Sequence, residues 1–126
     1  MKFTLCACLL AFSGCVSNAW DQYPGSLYNV LRADTPTAIG NHQHLLQRLV
    51  SSAEDAGRRP HPGICAEFAY YSWRIGKSDV ALAALAKERA HYPQSEKFVA
   101  ILEKFLPTVP VVEVPASRKT GGDNDY

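Results

Sequence analysis

The chain has little of what usually declares a chemistry. Its 126 residues hold four cysteines, two tryptophans and one methionine. The cysteines never occur as Cys-x-x-Cys, so the thiolate pairs of zinc sites and dithiol enzymes are missing. There is no His-Glu-x-x-His, no Gly-x-Ser-x-Gly and no Gly-rich phosphate loop. Neither sign of charge dominates: 13 Lys and Arg face 12 Asp and Glu, a formal net charge of +1. That balance argues against a nucleic-acid binder working through a positive field and against an acidic disordered chain. No apolar run reaches the roughly 20 residues that a membrane-crossing helix needs. The length suits one small domain.

What is present begins at the N-terminus. Met1-Lys2 is followed by an almost wholly apolar stretch, Phe3 to Phe12, and then by Ser13-Gly14-Cys15. A positive start, a short apolar run and small residues before a break make a secretory signal peptide over residues 1–14. Phe12-Ser13-Gly14-Cys15 resembles the bacterial lipobox, with Phe where Leu is most frequent. That resemblance implies cleavage before Cys15, a thioether-linked diacylglycerol on its sulfur and acylation of its new amino group. Several acyl chains on one residue give stable membrane attachment. Val16-Ser17 after the cysteine lacks the Asp that, in the lipoproteins it resembles, holds enterobacterial members in the inner membrane, which points to the outer membrane, with the protein on its periplasmic face. Cys6 and Cys8 leave with the leader, so Cys65 remains alone and no internal disulfide is expected.

Residues 15–25, broken by Pro24-Gly25, read as a lipidated linker. Residues 26–106 then read as helices. Ser26 caps a short first one with Leu27, Val30 and Leu31 on one face. Thr35-Pro36 opens a second that Gly57 ends. A third runs from Gly63 to Ile75 with Gly76 behind it. A fourth starts at Ser78 and stops before Pro93. A fifth starts near Ser95, with Phe98, Ile101, Leu102 and Phe105 as one apolar stripe. Residues 107–126, with Pro107, Pro110 and Pro115 and a polar end, read as a disordered tail. Its valines 109, 111, 112 and 114 could lie extended against a partner. The expected fold class is all-α.

Phe68, Ala69, Gly76, Ala81, Leu85 and Pro93 resemble one tetratricopeptide repeat, in which small residues let two helices approach and large ones fill the space beside them. Cys65, Ser72 and Glu88 depart from that pattern. A single helix pair cannot bury both faces, so the helices at 36–57 and 95–106 are expected to complete the stack. The order of four stretches, Trp20 to Tyr28, Leu45 to Ala56, Pro62 to Tyr70 and Glu88 to Ser95, resembles a family of short bacterial lipoproteins of unknown function. Such proteins are often encoded beside a lipoprotein related to the curli secretion channel. The resemblance implies a non-catalytic accessory or scaffold of envelope assembly, with other envelope lipoproteins as partners. It carries over no catalytic residue and no cofactor.

Candidate sites are few. His42, His44, His61, Cys65 and His91 are the only soft metal ligands, and they support the alternative of a periplasmic metal or small-molecule binder; their spacing matches no metal motif. Tyr70, Trp73 and Arg74 lie on one stripe of the third helix. They are residue types enriched at interface hot spots, so this stripe is either a partner surface or simple packing under the first helix.

The lipobox reading generates a direct test. Cys15→Ser should abolish metabolic labelling with a fatty-acid analogue and leave the leader uncleaved; unchanged mass and membrane partition would refute it.

Overall fold

The computed structural model describes residues 18–116. The signal peptide, Cys15 and the polar end of the tail lie outside the described residues. Five α-helices follow one another: α1 (Ala19–Ala33), α2 (Pro36–Asp55), α3 (Ile64–Arg74), α4 (Ser78–His91) and α5 (Glu96–Phe105). Short 3₁₀ turns at Pro93–Ser95 and Leu106–Thr108 flank α5, and no strand occurs among the described residues. The all-α class is therefore observed. Each helix packs on the next in chain order, and α3 against α4 is the most extensive pairing.

The stops and starts follow local chemistry. Thr35 accepts a hydrogen bond from the Ala38 N–H through its hydroxyl and is followed by Pro36. Gly76 takes φ +80°, and the Gly76 and Lys77 N–H groups close onto the carbonyls of Trp73 and Ser72. This is the αL ending that an L side chain resists.

Helix α1 begins seven residues before the expected cap at Ser26, so most of the expected linker is helical. Asn18 is the true cap, accepting the Trp20 N–H on its side chain at 3.2 Å. Pro24 lies inside the helix. Proline in a helix interior removes one backbone bond and typically costs about 3 kcal/mol. The first turn is held nonetheless, because its side chains dock on α3 and the loop before it. The Trp20 ring meets His61 edge-on at 4.6 Å, and the Tyr23 hydroxyl donates to Glu67 at 2.7 Å.

Ala69, Ala81 and Leu85 are fully buried in the core, with Phe68 beside them. Two of the departures from the repeat pattern have visible causes. Ser72 is small and buried, and its hydroxyl accepts from the Gln43 amide of α2 at 3.3 Å. Glu88 is buried, and its carboxylate accepts the Gly63 N–H at 2.9 Å, so α4 caps α3 where Gly63 has no side chain to do so.

The expected disordered tail differs from its placement over residues 107–116. Val109 is buried, and the Val112 N–H donates to the Arg74 carbonyl at 2.7 Å. Val112 packs against the core, and Val114 covers Gly40, where an added Cβ would stand 2.7 Å from a Val114 methyl. The valine-rich segment thus lies on its own domain as a strap. Composition alone does not reveal this, since four valines among prolines have no helical period to read.

The burial of Ala81 between α3 and α4 leaves no room for growth. Ala81→Leu should destabilise the domain by about 1–3 kcal/mol through overpacking. An unchanged urea midpoint would show that the two helices do not meet there.

Candidate functional site

The most organised polar feature is a buried hydrogen-bond chain. His42 of α2 is fully buried. Its Nε2 lies 2.8 Å from Glu67 Oε1 and its Nδ1 lies 2.8 Å from the Ser26 hydroxyl. An ionised carboxylate only accepts, so Nε2–H donates to Glu67, and in the neutral imidazole Nδ1 then accepts from the Ser26 hydroxyl. The second Glu67 oxygen accepts from Tyr23 at 2.7 Å. Tyr71 closes the ring face of His42 edge-on at 4.8 Å. Four residues from three helices thus satisfy one another.

The electrostatics keep the phenols neutral. Burial, then the hydrogen bond to Glu67, raises the Tyr23 phenol well above its ordinary value. Burial, then the Glu67 carboxylate, pushes Tyr71 up to about 12. Cys65 is buried too, and desolvation followed by the nearby Glu88 charge pushes its thiol up to about 11. A thiol so far from ionising at neutral pH is a poor nucleophile and a poor metal ligand.

Ser26, His42 and Glu67 have the connectivity of a nucleophile relay. Ser26, however, sits inside α1, where the neighbouring backbone N–H groups are spent on helix bonds and cannot stabilise an oxyanion. The chain is built as a clamp across α1, α2 and α3.

The stripe of Tyr70, Trp73 and Arg74 is engaged by the fold itself. Arg74 is 8% exposed. One of its guanidinium nitrogens donates to Asp34 at 3.3 Å and to the Tyr70 hydroxyl at 3.4 Å, and its carbonyl receives the strap. Tyr70 and Trp73 are half-buried against the core. Packing, one of the two readings of this stripe, therefore describes Arg74. The five soft ligands are not brought together: His42 is taken by Ser26 and Glu67, Cys65 is buried, and His61 stacks on Trp20. Among the described residues no cluster of three His, Cys, Asp or Glu side chains could hold a metal.

A surface that the sequence pattern left unassigned lies on α5. The inward residues are Val99 and Leu106, both fully buried, with Leu102 half-buried. Phe98, Ile101 and Phe105 point outward and are 51%, 64% and 49% exposed. The stripe read from the sequence is therefore mostly the outer face. α5 is apolar on two sides, and periodicity alone cannot say which side meets α4. Tyr28 and Leu31 on α1 and Leu82 on α4 are the other large apolar side chains exposed on the helices.

The clamp should be worth several tenfold in stability. Glu67→Ala leaves the buried His42 Nε2–H without an acceptor and should cost about 2 kcal/mol. Glu67→Gln keeps one acceptor and should cost less. Urea unfolding of both variants checks this, and two wild-type midpoints would show that the clamp contributes nothing.

The domain of unknown function DUF4810 matches residues 18–102, which span α1 to most of α5. No curated protein and no solved structure matches the chain. The matched region takes in both sides of the clamp, Tyr23 and Ser26 on α1 and Glu67 on α3, together with the His42 between them. This chain belongs to the DUF4810 family.

Proposed function

We propose that this protein is an outer-membrane lipoprotein, anchored through Cys15, whose tetratricopeptide-like helical domain docks other envelope proteins without catalysing a reaction. The partner expected from the family resemblance is a curli-secretion-channel-like lipoprotein or a companion in its assembly. The observation that carries the docking role is the outward stripe Phe98, Ile101 and Phe105 on the last helix. A helix stack normally ends in a helix with a polar outer face. Here the end is left apolar, as a helix awaiting a neighbour would be.

The occupant is a partner protein. The stripe is flanked on α5 by Glu96, Lys97, Glu103 and Lys104. Such mixed charge favours the apolar face of a partner helix over an anionic lipid surface. The buried clamp and the high thiol pKa of Cys65 favour a binding role over a catalytic or metal-binding one.

Ile101→Asp with Phe105→Ser should abolish co-purification of the partner from native membranes while helical circular dichroism stays at the wild-type level. These residues are outside the core, so the fold should survive. Retained co-purification would place the partner surface elsewhere. Loss of a homodimer on sizing would make the occupant a second copy and overturn the hetero-partner reading.

A further inference from the structure

One edge of the stack is charged. An open cleft of about 810 Å³ lies between the start of α1, the last turns of α2 and the loop that leads into α3. Its walls include Trp20, Arg48, Arg58, Arg59 and His61, with Asp55 as the one carboxylate. The three guanidinium groups share an unusual condition. Arg74 and Arg89 both hold carboxylates. Arg48 instead donates to the neutral Gln22 amide oxygen at 2.8 Å, and Arg59 donates to the His91 carbonyl at 3.2 Å and lies over the Tyr92 ring. Arg58 has no side-chain partner among the described residues. Three uncompensated arginines on one cleft favour an anion, and the planar guanidinium suits the oxygens of a phosphate.

The position of the cleft narrows the class of anion. Helix α1 starts at Ala19 and is capped by Asn18, which lines the cleft. Two residues separate Asn18 from Cys15, three steps of the chain with a reach of at most about 11 Å. An anchor on Cys15 therefore brings this end of the domain to the headgroup layer, with Trp20 at the depth where indoles collect. We propose that the cleft binds the phosphate of an anionic phospholipid in the leaflet that holds the Cys15 acyl chains. The inference rests on the anchoring reading given above. It adds a second, headgroup-specific contact that fixes how the domain stands on the membrane.

The test uses the processed full chain in a neutral detergent. The indole N–H signals of Trp20 and Trp73 are followed by NMR during titration with dihexanoyl phosphatidylglycerol, dihexanoyl phosphatidylcholine or inorganic phosphate. The expected result is a saturable shift of Trp20, with Trp73 unmoved, at a phosphatidylglycerol concentration at least tenfold below that for either other probe. Arg48→Gln with Arg58→Gln should weaken that response at least tenfold. Neither arginine holds a carboxylate, so the fold should be kept; Arg58→Gln alone, which removes no intramolecular bond, should weaken it severalfold. No Trp20 response, an equal response to phosphatidylcholine, or full binding by the variants overturns the proposal. An equal response to inorganic phosphate assigns the cleft to the free anion and overturns the lipid source. The intact mass of the same sample reports acylation independently: an unacylated Cys15 removes the anchor reading, while the titration still decides whether the cleft takes the phosphate.

Discussion

Burying an imidazole completely is costly unless both nitrogens find partners, and the need to satisfy His42 organises the N-terminal half of this domain. Glu67 and Ser26 supply those partners from α3 and α1. Glu67 then has a second oxygen to satisfy, which draws Tyr23 inward. Tyr23 sits one residue before Pro24, in the stretch where α1 is weakest on its own. The chain of bonds thus pins the segment that a proline would otherwise release. A helical, not extended, Ala19 to Gly25 follows from it.

Where the chain carries punctuation, its structure was legible. Thr35-Pro36, Gly57, Gly76 and Pro93 mark helix ends through φ preferences and a missing N–H, which act locally. Ala69 and Ala81 were legible as close-contact residues because small side chains at those offsets have one common use. The beginning of α1 was not, since Pro24-Gly25 is a strong break signal that tertiary bonds overrule. Nor was the facing of α5, where Val99 and Leu106 offer a stripe as apolar as Phe98, Ile101 and Phe105. The candidate site suffered from the same limit. His42 was visible as a histidine but not as a buried one, because the polar run Asn41 to His44 carries no hydropathy cue that its two middle members, His42 and Gln43, are buried. Arg74 read as either an interface anchor or a packed residue, and its partner, Asp34, is the residue that caps the end of α1. Such pairings are set by three-dimensional proximity, for which a single sequence has no periodic signature.

Two surfaces of the stack differ in kind. The edge where α1 begins gathers arginines that hold no carboxylate, and the outer face of α5 presents aromatic and aliphatic groups to solvent. Between them the helices are joined by an ordinary apolar core and by polar contacts that are largely satisfied internally. One surface chemistry suits anions and the other an apolar partner face.

The strap has a consequence for how the chain acquires its structure. Pairing of each helix with its neighbour in sequence gives contacts of short sequence separation, which form quickly. Val112 against Arg74 and Val114 against Gly40 join residues far apart in the chain and close large loops at an entropic cost. Val112 and Val114 also leave a ribosome or a translocon after all five helices. The helical stack can therefore assemble before the strap emerges, and docking of the strap follows it. Its arrival then registers as a tightening of the seam between α2 and the end of α3.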